Sequence, residues 1–272
     1  MSIARSDKAC NDTSLRFYRD VLGLERLHYG IWNEGEELSF ESLKRAQERY
    51  ETYLLDNIPE GCRRILDVGC GTGEMCLSLV KRGYEVEGLS PDRNQKAYFS
   101  DKLYVPFHHS RFEDFEAGAR RYDCIIMSES CQYMPIRQVF ETSSSALVSG
   151  GYLMVCDYFV VDKDAGILSE SGHDRSRFLE LARELGYKVV KTRDMTLETA
   201  RTLDMGKLIA DRILLAAEIF SERFRQRNKF CYRFVRWLFR KRMKKLQDQL
   251  PLLDAKRFCE VKRYEFYLFQ KA

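Results

Sequence analysis

The chain has 272 residues, 44% hydrophobic and 32% charged, which is enough for a sizeable core and typical of a globular protein. It has no apolar run long enough to span a membrane, no hydrophobic leader, and nine scattered cysteines without a CxxC pair, so we expect a cytoplasmic protein without disulfides or a metal site. The net charge of +4 is unevenly distributed along the chain. Residues 222–245 contain 11 Lys/Arg and one acid, a net charge of +10, so the rest of the chain carries a net charge of −6.

Short apolar runs that predict strands alternate with amphipathic stretches that predict helices. The strands are predicted at 64–68, 84–89, 122–127, 151–161 and 187–190, and the helices at 36–57, 74–81, from Pro91 onward and at 174–185. This alternation indicates βαβ units and a doubly wound, mostly parallel α/β sheet. The stretch from 195 to about 250 looks helical throughout, and 258–269 returns to strand, so we predict a helical insertion before the last strand.

A glycine-rich turn, DVGCGTG at residues 67–73, lies between the first predicted strand and a helix. Gly69, Gly71 and Gly73 let the backbone turn tightly and approach a ligand closely. The spacing is GxGxG rather than the GxGxxG of dinucleotide sites, and carboxylates at both ends would repel a pyrophosphate. Asp67 could instead attract the ammonium group of an amino acid, which favours a ligand like S-adenosylmethionine (SAM) over NAD.

DVGCGTG resembles motif I of the class I SAM-dependent methyltransferases, and the resemblance covers about residues 17–194. It implies a Rossmann-like fold of the seven-stranded methyltransferase type, with SAM as the cofactor and S-adenosylhomocysteine as the product. In that family Asp67 and the three glycines would hold the methionine part and the ribose side of SAM. The expected organisation is an N-terminal helical lid over 1–58, a SAM-binding core over 59–194, a basic helical insertion or substrate cap over 195–256, and a final strand over 257–272.

Further cofactor contacts follow from resemblance to the small-molecule branch of this family, which includes tocopherol and sterol methyltransferases and cyclopropane-fatty-acid-synthase-like enzymes. Ser90 stands where most relatives carry a ribose-binding acid. Together with Gln95 it is expected to contact the ribose hydroxyls, and Asp92 is a competing candidate. The ring of Phe112 would stack on the adenine, and Glu113 would accept from the exocyclic amine.

The segment SESCQYMP, residues 128–135, follows the fourth predicted strand and resembles the ESGEHMP segment of tocopherol methyltransferases. Ligands bind beyond the carboxyl ends of strands in such sheets, so Ser128 is a further expected cofactor contact. Glu129 is the first catalytic candidate, because it could orient the acceptor, accept a proton or stabilise a cation. Tyr133 could donate a hydrogen bond or offer its ring to the sulfonium. Gln132 replaces a Glu that helps to bind bicarbonate in cyclopropane synthases, which argues against cyclopropanation.

The N-terminal segments FYRD (17–20) and LHYGIW (27–32) resemble a stretch that closes over the cofactor in the same branch. A closed lid excludes water, which methyl transfer requires. In that branch a Tyr at the place of Tyr29 can reach the carboxylate of SAM. His28 could act as a base.

Residues 221–245 combine arginines with Phe and Trp at helical spacing. Such a helix can lie on an anionic membrane surface, which would make the protein peripheral to the membrane. The same pattern also suits a core-packing helix with a solvated basic face, an acidic carrier protein, closure over the substrate pocket, or nucleic acid. The small-molecule motifs weigh against nucleic acid.

We therefore predict a SAM-dependent methyltransferase that moves a methyl group to C, N or O of a small hydrophobic acceptor, such as an isoprenoid, a lipid or another natural product. Two alternatives stay open. One is an RNA or protein methyltransferase that docks through residues 222–245. The other is a SAM-binding module without turnover. The sequence leaves the oligomeric state open.

Overall fold

One sheet of eight strands with helices on both faces makes up the structure. The computed structural model describes residues 17–93, 95–96, 99, 104–119 and 121–272. The strands are β1 (Arg64–Val68), β2 (Glu85–Leu89), β3 (Phe107–His108), β4 (Tyr122–Ser128), β5 (Leu147–Val160), β6 (His173–Asp174), β7 (Tyr187–Asp194) and β8 (Lys262–Lys271). The helices are α1 (Phe40–Asp56), α2 (Glu74–Lys81), α3 (Ile136–Ala146), α4 (Arg175–Glu184), α5 (Thr196–Arg227), α6 (Lys229–Gln249) and α7 (Ala255–Val261). Part of the helix predicted from Pro91 onward lies outside these ranges. The first 16 residues of the predicted lid also lie outside them.

The strand order is β3-β2-β1-β4-β5-β8-β7, and the short β6 pairs with β5 outside this path. Strands β1 to β5 pair in parallel, whereas β8 is antiparallel to both β5 and β7. The chain order reverses between β1 and β4, and sheets of this kind bind ligands beyond the carboxyl ends of the strands at such a point. The predicted Rossmann-like, mostly parallel sheet with a helical insertion before its last strand is confirmed.

The two faces of the sheet are both buried, because successive side chains of a strand point to opposite sides. Ile65 packs in a cluster with residues of α1 and α2. The next residue, Leu66, packs in a second cluster with residues of α3 and α4. This double burial explains why the strands are continuous apolar runs instead of alternating ones.

The last strand begins later than the sequence predicted. Residues 258–261, assigned to the strand, form the end of helix α7. The side chain of Asp254 caps this helix by accepting from the backbone N–H of Arg257, at 3.0 Å. Phe258 and Val261 are three residues apart and both buried, which is the spacing of one helix face.

The stretch predicted as helical from 195 to 250 is interrupted at Asn228, where φ is −144° and ψ is 74°. The first half of α5 packs on the core through buried residues such as Ala200 and Leu203. The described residues from Asp211 onward are mostly exposed in both α5 and α6. We call residues 211–249 the basic hairpin. None of the helices in the described part of the chain has the length and apolar character needed to cross a bilayer.

An extended stretch of residues 22–32, here called the strap, lies against α1 and the glycine loop. Gly30 is close to α1, because a Cβ there would lie 2.6 Å from the Cβ of Ala46. The side-chain amide of Gln47 donates to the carbonyls of Arg26 and His28, at 3.0 and 2.7 Å. The hydroxyl of Thr72 donates to the carbonyl of Glu25, at 3.0 Å. These bonds fix the strap at the edge of the site described next.

Candidate active site

A cavity of about 1200 Å³ opens beyond the carboxyl ends of β1, β2 and β4. This volume exceeds the range of about 300–1,000 Å³ typical of ligand pockets, so the cavity has room for more than one small ligand. Its wall is formed by the strap residues 25–28, the glycine-loop residues 67–72 with 74–75, and residues 89–93, 95, 109–114, 128–130 and 133–134.

The glycine loop adopts a conformation that other residues rarely take. Gly69, Gly71 and Gly73 have φ values of 80°, 54° and 88°, in the left-handed region that favours glycine. A Cβ on Gly69 would also lie 2.4 Å from the Cβ of Ser130, so this position has no space for a side chain. Gly69 and Gly71 line the cavity, whereas Gly73 lies behind it and caps helix α2.

Asp67 is a buried carboxylate at the cavity wall. It accepts a hydrogen bond from the thiol of Cys76, at 3.2 Å, and a thiol is a weak donor. Burial raises the pKa of Asp67 to about 7. The ionised form of this carboxyl, which has a weak donor as its partner, would be a strong acceptor for a cation that enters the cavity.

The other predicted cofactor residues on this side also reach the wall. The hydroxyl of Ser90 donates to the side-chain carbonyl of Gln95, at 2.6 Å, and accepts from the backbone N–H of Asp92, at 3.2 Å. Phe112 is buried and Glu113 is half-buried on a short 3₁₀ turn. A carboxylate, a hydroxyl–amide pair and an aromatic ring are groups that suit the ammonium, ribose and adenine parts of SAM. The residues present therefore fit this cofactor.

Glu129 occupies the centre of a hydrogen-bonded cluster at the end of β4. Its φ of 53° is the one left-handed value among the described non-glycine residues, and such strain is often found at functional sites. Its carboxylate accepts from the backbone N–H of Tyr29, at 2.6 Å, and from the hydroxyl of Tyr264, at 2.5 Å. Burial raises the pKa of Glu129 to about 8. A carboxyl group that titrates near neutral pH can exchange a proton there.

The two strap residues named by the sequence differ in their position. His28 lines the cavity, while the ring of Tyr29 lies outside its wall and stacks on Tyr264, with 5.4 Å between centroids. His28 Nδ1 lies 2.7 Å from the Tyr29 carbonyl, which only accepts, so Nδ1 carries the proton and Nε2 has the free lone pair. Burial lowers the pKa of His28 to about 4, which makes it a weak base.

The loop after Glu129 holds the remaining catalytic candidate. Tyr133 lines the cavity and is 67% exposed. The loop is anchored by Asp157 of β5, which accepts from the thiol of Cys131 and the backbone N–H of Gln132, both at 3.2 Å. Ser128 also lines the cavity, and its hydroxyl is 2.9 Å from that of Tyr50. Within the described ranges, no three His, Cys, Asp or Glu side chains come together as metal ligands would.

The sequence did not reveal three buried residues around Glu129: its hydrogen-bond partner Tyr264, Tyr50 bonded to Ser128, and Asp157 bonded to the loop that follows. Tyr264 lies in the apolar run of β8, and Tyr50 lies on the buried face of α1, so both looked like core residues. Asp157 is the one acid in the middle of the apolar strand β5, and this isolated charge was the signal that could have identified it.

A family model described as a methyltransferase domain matches residues 37–204. A relative from Geobacillus sp. (strain WCH70), described as a methyltransferase, is 32% identical over 105 residues, which cover 35% of this chain and 42% of that protein. The match therefore spans less than half the length of that relative. An uncharacterized methyltransferase from Bacillus cereus (strain ATCC 10987 / NRS 248) is 25% identical over 162 residues, which cover 58% of this chain and 74% of the relative.

Solved structures share the fold at low sequence identity. Geranyl diphosphate C-methyltransferase from Streptomyces coelicolor A3(2), in complex with Mg²⁺, geranyl diphosphate and S-adenosyl-L-homocysteine, has a TM-score of 0.66 at 16% identity, covering 93% of this chain and 92% of that one. The cyclopropane synthase MmaA2 from Mycobacterium tuberculosis has a TM-score of 0.65 at 17% identity, covering 96% and 94%. The family match, the fold and the cavity agree: the chain belongs to the methyltransferase-domain family and is a SAM-dependent methyltransferase.

Proposed function

We propose that the enzyme transfers the methyl group of SAM to a carbon, nitrogen or oxygen atom of a small, largely apolar acceptor such as an isoprenoid or a lipid. The observation that carries this proposal is Glu129, a buried carboxyl group with a raised pKa at the wall of the cofactor cavity. When bound, SAM would supply a methyl group on a positively charged sulfur: a nucleophilic atom of the acceptor would form the new bond to the methyl carbon as the carbon–sulfur bond breaks, and neutral S-adenosylhomocysteine would leave.

The cofactor half of the cavity is assigned to the residues that the motifs indicated. Asp67 would bind the ammonium group, and Ser90 with Gln95 would bind the ribose hydroxyls. Phe112 would form the adenine wall, with Glu113 accepting from the exocyclic amine. The Ser90–Gln95 bond of 2.6 Å supports this assignment, because it orients both groups before a ligand arrives.

The acceptor half is assigned to the surroundings of Glu129. Tyr133 and Met134 line the cavity beside it, and the stacked Tyr29–Tyr264 pair lies behind it. Aromatic and thioether surfaces bind apolar groups and also stabilise a positive charge. Protonated Glu129 would donate a hydrogen bond to the acceptor, and the carboxylate would accept a proton or stabilise a cation.

Two further observations support a small and apolar acceptor. The strap covers one side of the cavity and contributes residues 25–28 to its wall, so it restricts access by a folded macromolecule. The structural neighbours include enzymes named for geranyl diphosphate C-methylation and for cyclopropane synthesis. Gln132, in the loop beside Glu129, continues to argue against cyclopropanation itself.

The test uses SAM with a labelled methyl group and acceptors of separate classes: prenyl diphosphates, unsaturated acyl chains, phenols and amines. We expect label to enter an apolar acceptor. Glu129→Gln should lower kcat by a factor on the order of 10²–10⁴, which is typical for loss of a proton-transfer group. It should leave SAM affinity within a few-fold.

Glu60→Gln is the matched control, because Glu60 is exposed in the turn before β1, at the opposite edge of the sheet. Transfer confined to RNA or to a protein would overturn the proposed acceptor class. Tight SAM binding with no transfer to any acceptor would instead indicate a module without turnover.

A further inference from the structure

The basic hairpin exposes apolar side chains that a solvated helix would not need. Phe230, Phe234 and Trp237 of α6 are 89%, 60% and 61% exposed. Their spacing of four and three residues places them on one face of the helix. The rings of Phe234 and Trp237 stack with centroids 6.1 Å apart. On α5, Ile219 and Phe220 are exposed as well.

Positive charge borders this aromatic row. Arg233, Arg240 and Lys244 recur at intervals of seven and four residues, which places them on the neighbouring face of α6. All three are exposed. The hairpin therefore presents one surface in which rings and cations lie side by side, although the rest of the chain carries net negative charge.

We propose that the basic hairpin binds the surface of an anionic phospholipid bilayer. The helix α6 would lie in the plane of the interface, with Phe230, Phe234 and Trp237 inserted among the upper acyl chains. Arg233, Arg240 and Lys244 would contact the lipid phosphates and acidic headgroups.

Charge complementarity selects this partner over an uncharged membrane. The exposed aliphatic side chain of Ile219 favours it over RNA, because an aliphatic group neither stacks on bases nor forms hydrogen bonds and gains most from an apolar phase. This proposal does not depend on the acceptor proposed above. A bilayer is nevertheless a place where an apolar acceptor concentrates.

The test measures flotation of the full-length protein with phosphatidylcholine vesicles that contain or lack phosphatidylserine. We expect binding that requires phosphatidylserine and weakens as salt is added. Replacing these three cations and Arg236, which is also exposed on α6, with Gln should weaken binding by about fivefold for each charge, several hundredfold in total. A charge-matched control carries four Gln substitutions on other exposed surfaces, at Lys81, Arg137, Lys188 and Lys256, and should bind like the parent.

Insertion of the rings has its own readout. The protein has two tryptophans, and Trp32 is 3% exposed whereas Trp237 is 61% exposed. A blue shift of tryptophan fluorescence on addition of anionic vesicles, lost in Trp237→Phe, is the expected result. Phe230→Ser with Phe234→Ser should reduce flotation while SAM binding, measured in parallel, stays unchanged and shows that the fold is intact.

Several outcomes would overturn the proposal. Equal flotation with and without phosphatidylserine would remove the role of charge. Flotation that survives loss of the four cations, or no flotation at all, would refute the surface assignment. Binding of single-stranded RNA by the hairpin without any binding of anionic vesicles would assign the surface to nucleic acid instead.

Discussion

The affinity of the enzyme for SAM should depend on pH through Asp67. Burial raises the pKa of this carboxyl from 3.8 to about 7. In the proposed assignment the Asp67 carboxylate binds the ammonium group of SAM, so binding at lower pH must first remove a proton. The dissociation constant should therefore rise by about tenfold for each unit of pH below 7, since one pKa unit corresponds to about 1.36 kcal/mol.

Calorimetric titration with SAM between about pH 5.5 and 7.5 measures this dependence, below the range of about 7.7–8.0 in which an α-amino group loses its own proton. Repeating the titration in buffers of different ionisation enthalpy gives the number of protons released, which should approach one at low pH. Asp67→Asn should reduce the slope to the part that Glu129 contributes. At pH 7.5 it should weaken binding by roughly 10- to 150-fold, as expected for a charged hydrogen bond of about 1.5–3 kcal/mol.

Asp164→Asn, an exposed acid outside the cavity wall, is the control and should retain the slope. A dissociation constant that stays flat from pH 5.5 to 7 would refute the reasoning. The same would follow if the slope in Asp67→Asn were unchanged, because another group would then control the binding.

Three further predictions concern the residues around the cavity. Folding raises the pKa of Glu129 from 4.5 to about 8, so it favours the protonated form, and the free energy of unfolding should fall as pH rises from 5 to 8. Urea unfolding should show that Glu129→Gln reduces this loss of stability by a few kcal/mol, at about 1.36 kcal/mol per pKa unit. The hydroxyl of Tyr264 donates a hydrogen bond to Glu129 and thereby lowers its pKa. Tyr264→Phe should therefore shift the Glu129-controlled limb of the plot of kcat/KM against pH to higher pH by about one unit, the equivalent of one hydrogen bond. Gly69→Ala should destabilise the fold by about 2–4 kcal/mol in thermal unfolding, because it combines a left-handed backbone with a clash against Ser130. The control Gly61→Ala, which is left-handed but has no neighbour within 4 Å, should cost only about 1–2 kcal/mol. Equal losses in the two variants would contradict the clash.

The parts of the fold that the sequence predicted are those determined by local chemistry. The glycine loop is recognisable because Gly69, Gly71 and Gly73 need a backbone conformation that other residues avoid. The strands are recognisable because both faces of the sheet are buried. The start of β8 was missed because Phe258 and Val261 suit a helix face as well as an apolar strand, and the Asp254 cap decides between the two.

The candidate site was predicted less completely because its key contacts are distant in the sequence. Glu129 is bonded to Tyr29, 100 residues before it, and to Tyr264, 135 residues after it. No local pattern encodes such a pairing, which depends on β8 lying antiparallel beside β5. Tyr29 was expected to reach the carboxylate of SAM, which stays a prediction; in the structure its backbone N–H donates to Glu129 and its ring stacks on Tyr264.

Asp67 and Glu129 lie in one cavity, and burial raises the pKa of both. Burial favours the neutral form of each carboxyl group, because a charge there would lack water. A cationic ligand reverses this preference, since positive charge nearby lowers the pKa of an acid. Cofactor binding and deprotonation are therefore linked, and each must favour the other by the same free energy. In the proposed mechanism the positive charge of SAM would favour the carboxylate form of Glu129, and a product with one positive charge fewer would favour it less.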